Sequence, residues 1–268
     1  MESIFRLTTR VPDWLAVIVL GIVEGITEFL PISSTGHLLL VDQWLGRHSS
    51  DLFVTVVQSG AVLAVILAFW SRVVQLAVGW RDPQVRDYIL KLGAAFAITG
   101  VGGLLLKKLN FELPDRPGPV AWATLIGGVM ILVIETWLRN KPLREDVTWM
   151  IAVLAGVAQL LAAVFPGASR SGATILMALA LGLNRPKAAE FSFLLGVPTL
   201  LAAGGLQIVS ALRKGETIDW AMVSLGALVS AITAFVAVKW LLRFVQSHTF
   251  VIFGWYRIVL GVLILLFA

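Results

Sequence analysis

Four stretches of this chain, residues 52–70, 117–134, 191–212 and 220–238, run without a single charged side chain. A helix needs about 20 apolar residues, rising ~1.5 Å each, to cross ~30 Å of hydrocarbon, so each stretch is a predicted membrane span. Residues 92–106 and 250–268, the latter containing Arg257, bring the expected spans to six. Composition agrees. Only 14% of the 268 residues are charged and 58% are hydrophobic, where a soluble domain carries about 25% charged residues. Cysteine is absent, which excludes disulfide and thiol chemistry. Glu2 and Asp13, with two glutamates in the first apolar run, make the opening a poor signal peptide. The formal charge of +5 reads as basic loops facing an anionic leaflet, and nucleic acid is not an expected partner.

The chain contains itself twice. "GIVEGITEFLPISSTGH" from Gly21 resembles "GVAQLLAAVFPGASRSGAT" from Gly156. Gly21 matches Gly156, Glu24 matches Gln159 and Pro31 matches Pro166. Ser33-Ser34-Thr35-Gly36 then matches Ser169-Arg170-Ser171-Gly172, with one extra residue in the second copy. The copies cover about 14–138 and 149–268 of a single membrane domain, joined by the charged linker "RNKPLREDVTW". Each opens on a segment broken at proline and continues with three spans. Proline removes a backbone donor and disfavours helix before it. A polar, non-helical stretch at membrane depth survives only inside protein or beside a wet cavity. The expected fold is therefore an all-α polytopic membrane protein with two inverted repeats, each a re-entrant helical hairpin plus three transmembrane helices.

The polar residues of these broken segments name the chemistry. Glu24 and Glu28, spaced i, i+4, share one helix face, where two carboxylates repel unless a cation sits between them or one keeps its proton. Hard divalent ions such as Mg²⁺ or Ca²⁺ take carboxylate oxygens, and Mg²⁺ is commonly completed by substrate phosphates. His37 follows three hydroxyls and can serve as acid, base or nucleophile, whereas His48 and His248 fall in predicted loops. Arg170 lies among Ser169, Ser171 and Thr174 in a turn opening a helix, an arrangement that cradles anions. Acids for a metal, an arginine for a phosphoryl group, and a serine or histidine to attack describe phosphate chemistry on a substrate whose apolar part stays in lipid.

At these residues the sequence resembles the undecaprenyl-diphosphate phosphatase family of the bacitracin-resistance type, on "EGITEFLPISSTGH" and "PGASRSGAT" and over essentially the whole chain. The resemblance implies hydrolysis of undecaprenyl diphosphate to the monophosphate carrier lipid, with a divalent cation. It carries over to Glu24, Glu28, Ser34, His37 and Arg170, with Ser33, Thr35, Ser169, Ser171 and Thr174 around the phosphates. Ser34 is the expected nucleophile and His37 its expected proton partner. Type-2 phosphatidic-acid phosphatases are set aside, because the histidine they need six residues after the arginine is Leu176 here. The rival class is a transporter or flippase of an anionic lipid, since inverted repeats also build transporters. A homodimer is left open. With hairpins that do not cross, the loops on the side of the N-terminus hold eight Lys and Arg and the other loops eleven. Positive-inside then places both termini outside the cytoplasm, and the carrier-lipid role of the family opens the site to that outer face.

Overall fold

In the computed structural model, residues 11–46, 49–109 and 117–267 are described. Arg6, Arg10, Arg47, His48, Arg116 and Ala268 lie outside them. The described residues form eleven helices: α1 Asp13–Thr27, α2 Ser34–Leu45, α3 Asp51–Ala68, α4 Trp70–Val78, α5 Pro83–Lys108, α6 Pro117–Leu138, α7 Trp149–Val164, α8 Arg170–Ala180, α9 Arg185–Lys214, α10 Trp220–Phe244 and α11 Val251–Phe267.

Local chemistry sets the ends. Ser50, Asp82, Thr148, Asn184 and Asp219 each cap a helix by accepting a backbone N–H from two or three residues on. Pro83 follows its cap directly, where its missing N–H costs nothing. Five helices, α3, α5, α6, α9 and α10, are long and apolar enough to cross a membrane, and they match five of the six expected spans. The sixth expectation falls on α11, whose 17 residues reach only about 25 Å. Helix α3 breaks at Phe69, and the turn leads into the short α4, none of whose residues is buried. That helix was not expected.

Large apolar side chains cover the outside as well as the inside: Leu63, Val133, Leu228 and Val236 are all more than half exposed midway along their helices. Such a surface is matched to lipid, and half-exposed tryptophans at the helix ends, Trp14, Trp44 and Trp220 at one end and Trp70, Trp80, Trp137 and Trp149 at the other, form the aromatic belts of membrane proteins.

Helices α1 and α2 fold back on each other, as do α7 and α8. Each pair leans on the opposite half of the chain. Helix α1 packs on α10 and α7 on α5, while α6 and α11 pack on each other. Thr233 donates to the carbonyl of Gly21 at 3.4 Å, and Thr99 donates to the carbonyl of Gly156 at 3.1 Å. Both glycines are needed there, since a Cβ at Gly156 would sit 2.7 Å from the carbonyl oxygen of Ala95 and one at Gly21 2.9 Å from that of Gly226. The linker is also fixed in place. Arg144 donates its N–H to Gly182 and accepts from Asn184, both at 2.8 Å. Buried Glu135 of α6 clasps Arg185 at the start of α9 and accepts the N–H of Phe250 at 2.7 Å before α11.

Candidate active site

Both broken segments end in the same rare backbone. Helix α1 stops at Thr27 ahead of Pro31, and α7 stops at Val164 ahead of Pro166. Ser33 (φ 72°) and Ser169 (φ 67°) then take left-handed angles, the only non-glycine residues to do so among those described. Such angles cost roughly 1–3 kcal/mol and persist where the surroundings fix them. Each of these serines caps the next helix, Ser33 accepting from the N–H of Gly36 at 3.2 Å and Ser169 from that of Gly172 at 3.1 Å. The first N–H groups of α2 and α8 have no partner within their own helices, which makes each start a place for an anion. In the first segment the non-helical backbone, residues 28–33, is buried throughout, as lipid depth requires.

The two turns meet. Glu28 Oε2 accepts a hydrogen bond from Ser34 Oγ at 2.8 Å, and its Oε1 accepts one from Arg170 Nη2 at 2.9 Å. A single carboxylate thus joins the serine of one motif to the arginine of the other. Ser171 Oγ lies within donating distance of the carbonyls of Glu28 (3.1 Å) and Leu30 (3.0 Å), and fastens the second turn onto the first. Arg170 also stands over the Phe29 ring, 5.3 Å from its centroid, and reaches the carbonyl of Ser192 at 3.4 Å. Its Nε is buried without a partner, so the guanidinium is left with an unsatisfied donor.

Room for that guanidinium comes from α9, where a Cβ at Gly196 would lie 2.2 Å from Arg170 Nη1. Gly196→Ala is expected to push the fork off Glu28 and lower kcat by about 10²-fold, in the range lost with one donor to developing charge. Arg170→Lys, which keeps charge and loses the fork, is expected to fall as far. Steady-state rates of the two variants check this, and full activity in Arg170→Lys would reduce the arginine to a point charge.

Glu24 lies one turn before Glu28 and is 1% exposed, with neither carboxylate oxygen hydrogen-bonded. Burying a carboxylate without a partner is costly. Two orphaned oxygens beside a second carboxylate suit a hard cation. No group of three or more His, Asp or Glu side chains is gathered among the described residues, so an ion held by Glu24 and Glu28 would draw its other oxygens from water or phosphate, which suits Mg²⁺.

No hydrogen bond joins His37 to Ser34. Its Nδ1 lies 2.7 Å from the carbonyl oxygen of Ser33 and its Nε2 2.6 Å from the Tyr256 hydroxyl. Thr35 is exposed beside Ser34. Ser171 and Thr174 are fully buried. Thr174 is spent on the carbonyls of Arg170 and Ser171 and on the Ser192 hydroxyl. Ser171 holds the turns together from behind and Thr174 ties α8 to α9, while Ser33 and Ser169 cap. His248 lies in a loop after α10.

Two residues of α11 escape the sequence motifs altogether. One is Tyr256. The other is Arg257, 0% exposed, whose five N–H groups point at backbone carbonyls: Thr124 and Ala123 of α6, Pro31 of the first turn, and Gly167 and Ala168 of the second, at 3.0–3.5 Å. An arginine inside a predicted span is itself a signal of function; its partners, being carbonyls, leave no trace in the sequence. Beside the second turn, a groove of about 510 Å³ runs between α6, α7 and α8, lined by apolar residues that include Trp122, Ile126, Met130, Leu161 and Phe165.

A family model described as bacitracin resistance protein BacA matches residues 17–263. The chain is 50% identical over 256 residues to a protein of Rhizobium etli named undecaprenyl-diphosphatase, covering 94% of this chain and 96% of that protein. A protein of the same name from Xanthomonas axonopodis pv. citri is 48% identical over 257 residues, covering 95% and 97%.

Proposed function

Because this chain belongs to the bacitracin resistance protein BacA family, we propose that it is an undecaprenyl-diphosphatase: a multi-pass membrane hydrolase that converts undecaprenyl diphosphate to undecaprenyl phosphate and inorganic phosphate, recycling the carrier lipid of the cell wall. The observation that carries the reading at residue level is Glu28, hydrogen-bonded at once to Ser34 and to Arg170.

In the mechanism, Ser34 Oγ attacks the terminal phosphorus and its proton passes to Glu28, the group already bonded to it. The bond from phosphorus to the bridging oxygen breaks, and the prenyl monophosphate leaves with the proton from Glu28. Glu28 then takes a proton from water as water attacks the phosphoserine, the bond from phosphorus to Ser34 Oγ breaks, and Glu28 returns the proton to Oγ, which releases phosphate and restores Ser34. Arg170 and the helix starts at Ser34 and Arg170 hold the phosphoryl oxygens and answer the charge that develops on them. A divalent ion held by Glu24 and Glu28 would neutralise the diphosphate. Proton transfer is thus given to Glu28 and not to His37, since Ser34 is hydrogen-bonded to Glu28 and not to His37. The apolar groove beside the second turn supports a substrate whose chain stays in lipid.

The same reading covers the architecture. The paired contacts of α1 on α10 and α7 on α5, and the Thr233–Gly21 and Thr99–Gly156 bonds, support two inverted repeats over about 14–138 and 149–268. Each would contribute a re-entrant hairpin and three spans, α11 being the sixth. Both termini then lie outside the cytoplasm, with the site open to that face.

Purified protein given undecaprenyl diphosphate is expected to release phosphate in a divalent-dependent reaction. Glu24→Gln and Glu28→Gln are each expected to slow turnover about 10²-fold, the scale of a lost catalytic group, and to weaken the metal dependence. Near-normal turnover in both would remove the carboxylates from the mechanism, and failure to release phosphate at all would leave the transporter reading.

A further inference from the structure

Tyr256 belongs to neither motif, yet it links α11 by a side-chain hydrogen bond to His37 of α2, in the helix that follows the first turn. Its hydroxyl lies 2.6 Å from Nε2 of His37, and the two rings stack with planes 8° apart and centroids 5.5 Å apart. On the other side of the imidazole, Nδ1 lies 2.7 Å from the carbonyl oxygen of Ser33. A carbonyl only accepts, so Nδ1 carries the proton. In the neutral ring Nε2 is then the lone-pair atom, and the Tyr256 hydroxyl donates to it. Two hydrogen bonds and a stacked face together fix the tautomer and the plane of His37. They also make the Ser33 carbonyl the end of a chain that begins 223 positions away. That carbonyl belongs to the peptide leading into Ser34, at the residue held at φ 72°.

We propose that Tyr256 is a positioning residue for the hydrolysis: acting through His37, it braces the strained Ser33–Ser34 peptide that aims the attacking hydroxyl, and it keeps the free lone pair of His37 covered. The brace rests on the diphosphatase reading above for its effect on rate, and on geometry alone for its effect on the imidazole. Arg257, next along α11, is the charged group whose field reaches the ring, but its own N–H groups are occupied by carbonyls and do not contact it. His37 in this arrangement is a strut, which accounts for an imidazole that stands near a serine and yet touches its neighbour's carbonyl instead.

Tyr256→Phe removes the hydroxyl and keeps the stacked ring. It is expected to lower kcat about tenfold, the weight of one hydrogen bond, with KM for undecaprenyl diphosphate little changed. In His37→Ala the same substitution is expected to change nothing further, because the brace is already gone. Nitrogen-15 spectra, recorded in a His48→Gln, His248→Gln background where His37 is the remaining histidine, are expected to show a hydrogen-bonded Nε2 acceptor that disappears in Tyr256→Phe. An equal loss of rate from Tyr256→Phe with and without His37, or an unchanged imidazole spectrum in Tyr256→Phe, would overturn the proposal. The spectrum does not depend on which group attacks phosphorus. If Ser34→Ala stayed active, the diphosphatase mechanism would fail while the spectral result still judged Tyr256.

Discussion

Ser34→Ala is expected to lower kcat by at least about 10³-fold and to abolish any covalent phosphoenzyme, with the protein still folded in detergent. The size follows from removing a nucleophile, whose loss no neighbour replaces. The folding claim follows from the place of the hydroxyl: it bonds only Glu28, and Glu28 keeps Arg170 as a partner, so no buried charge is stranded. Rapid acid quench of a single turnover with labelled substrate is the measurement. An acid-stable phosphoserine in the wild type that is missing from Ser34→Ala supports serine attack. An acid-labile adduct kept in Ser34→Ala and lost in His37→Ala would assign the attack to His37, against the position of Nε2 under the Tyr256 hydroxyl. Solvent oxygen entering phosphate in one turnover without any adduct would assign it to water.

Arg257 carries the second large effect, and it is an effect on stability as well as rate. Its guanidinium supplies a donor to each of five carbonyls on three separate segments. Hydrogen bonds from a charged group contribute roughly 1.5–3 kcal/mol each, and a buried acceptor left alone costs about 1–3 kcal/mol. The five are not additive, because they share one side chain. Arg257→Met removes all the donors and is expected to lower the thermal midpoint in detergent by about 10 °C or more, taking ~3–5 kcal/mol at ~2–4 °C per kcal/mol. Arg257→Lys keeps the charge but cannot span carbonyls on three segments, so it is expected to recover only part of the loss. Rate should fall with it, since the turns that carry Ser34 and Arg170 are the ones being held. A midpoint in Arg257→Met within about 2 °C of wild type, less than ~1 kcal/mol on the same scale, would show that the carbonyls find other partners.

What the sequence made legible was local. The i, i+4 glutamates, the prolines that end α1 and α7, and the serine-rich helix starts all obey rules that act within one turn of chain, and the structure puts each where those rules place it. Length and polarity likewise located α3, α5, α6, α9 and α10. What stayed hidden depends on how distant helices are rotated against each other. Gly196 matters because Arg170 happens to lie over it, and Ser192 because Thr174 points there; neither has a pattern of its own. His37 shows the limit from the other side. Adjacency in sequence suggested Ser34 as its partner, but the ring turns back to the Ser33 carbonyl and outward to a tyrosine on α11. Helix α4 was missed for a simpler reason: the apolar run continues through Phe69 and Trp70, and nothing in composition marks the turn between them.

The bonds of Arg257 also say something about time. A ribosome makes the carbonyls of Pro31, Ala123, Thr124, Gly167 and Ala168 long before it makes the side chain that will hold them. Glu28 is likewise finished 142 positions before Arg170. Until Arg170 is made the nascent chain therefore carries a pair of carboxylates with no cation from the protein beside them, and from then until Arg257 it carries two turns that nothing yet clasps. The two turns are clasped together only once α11 has been made, so a chain stalled before that point holds both motifs without the side chain that joins them.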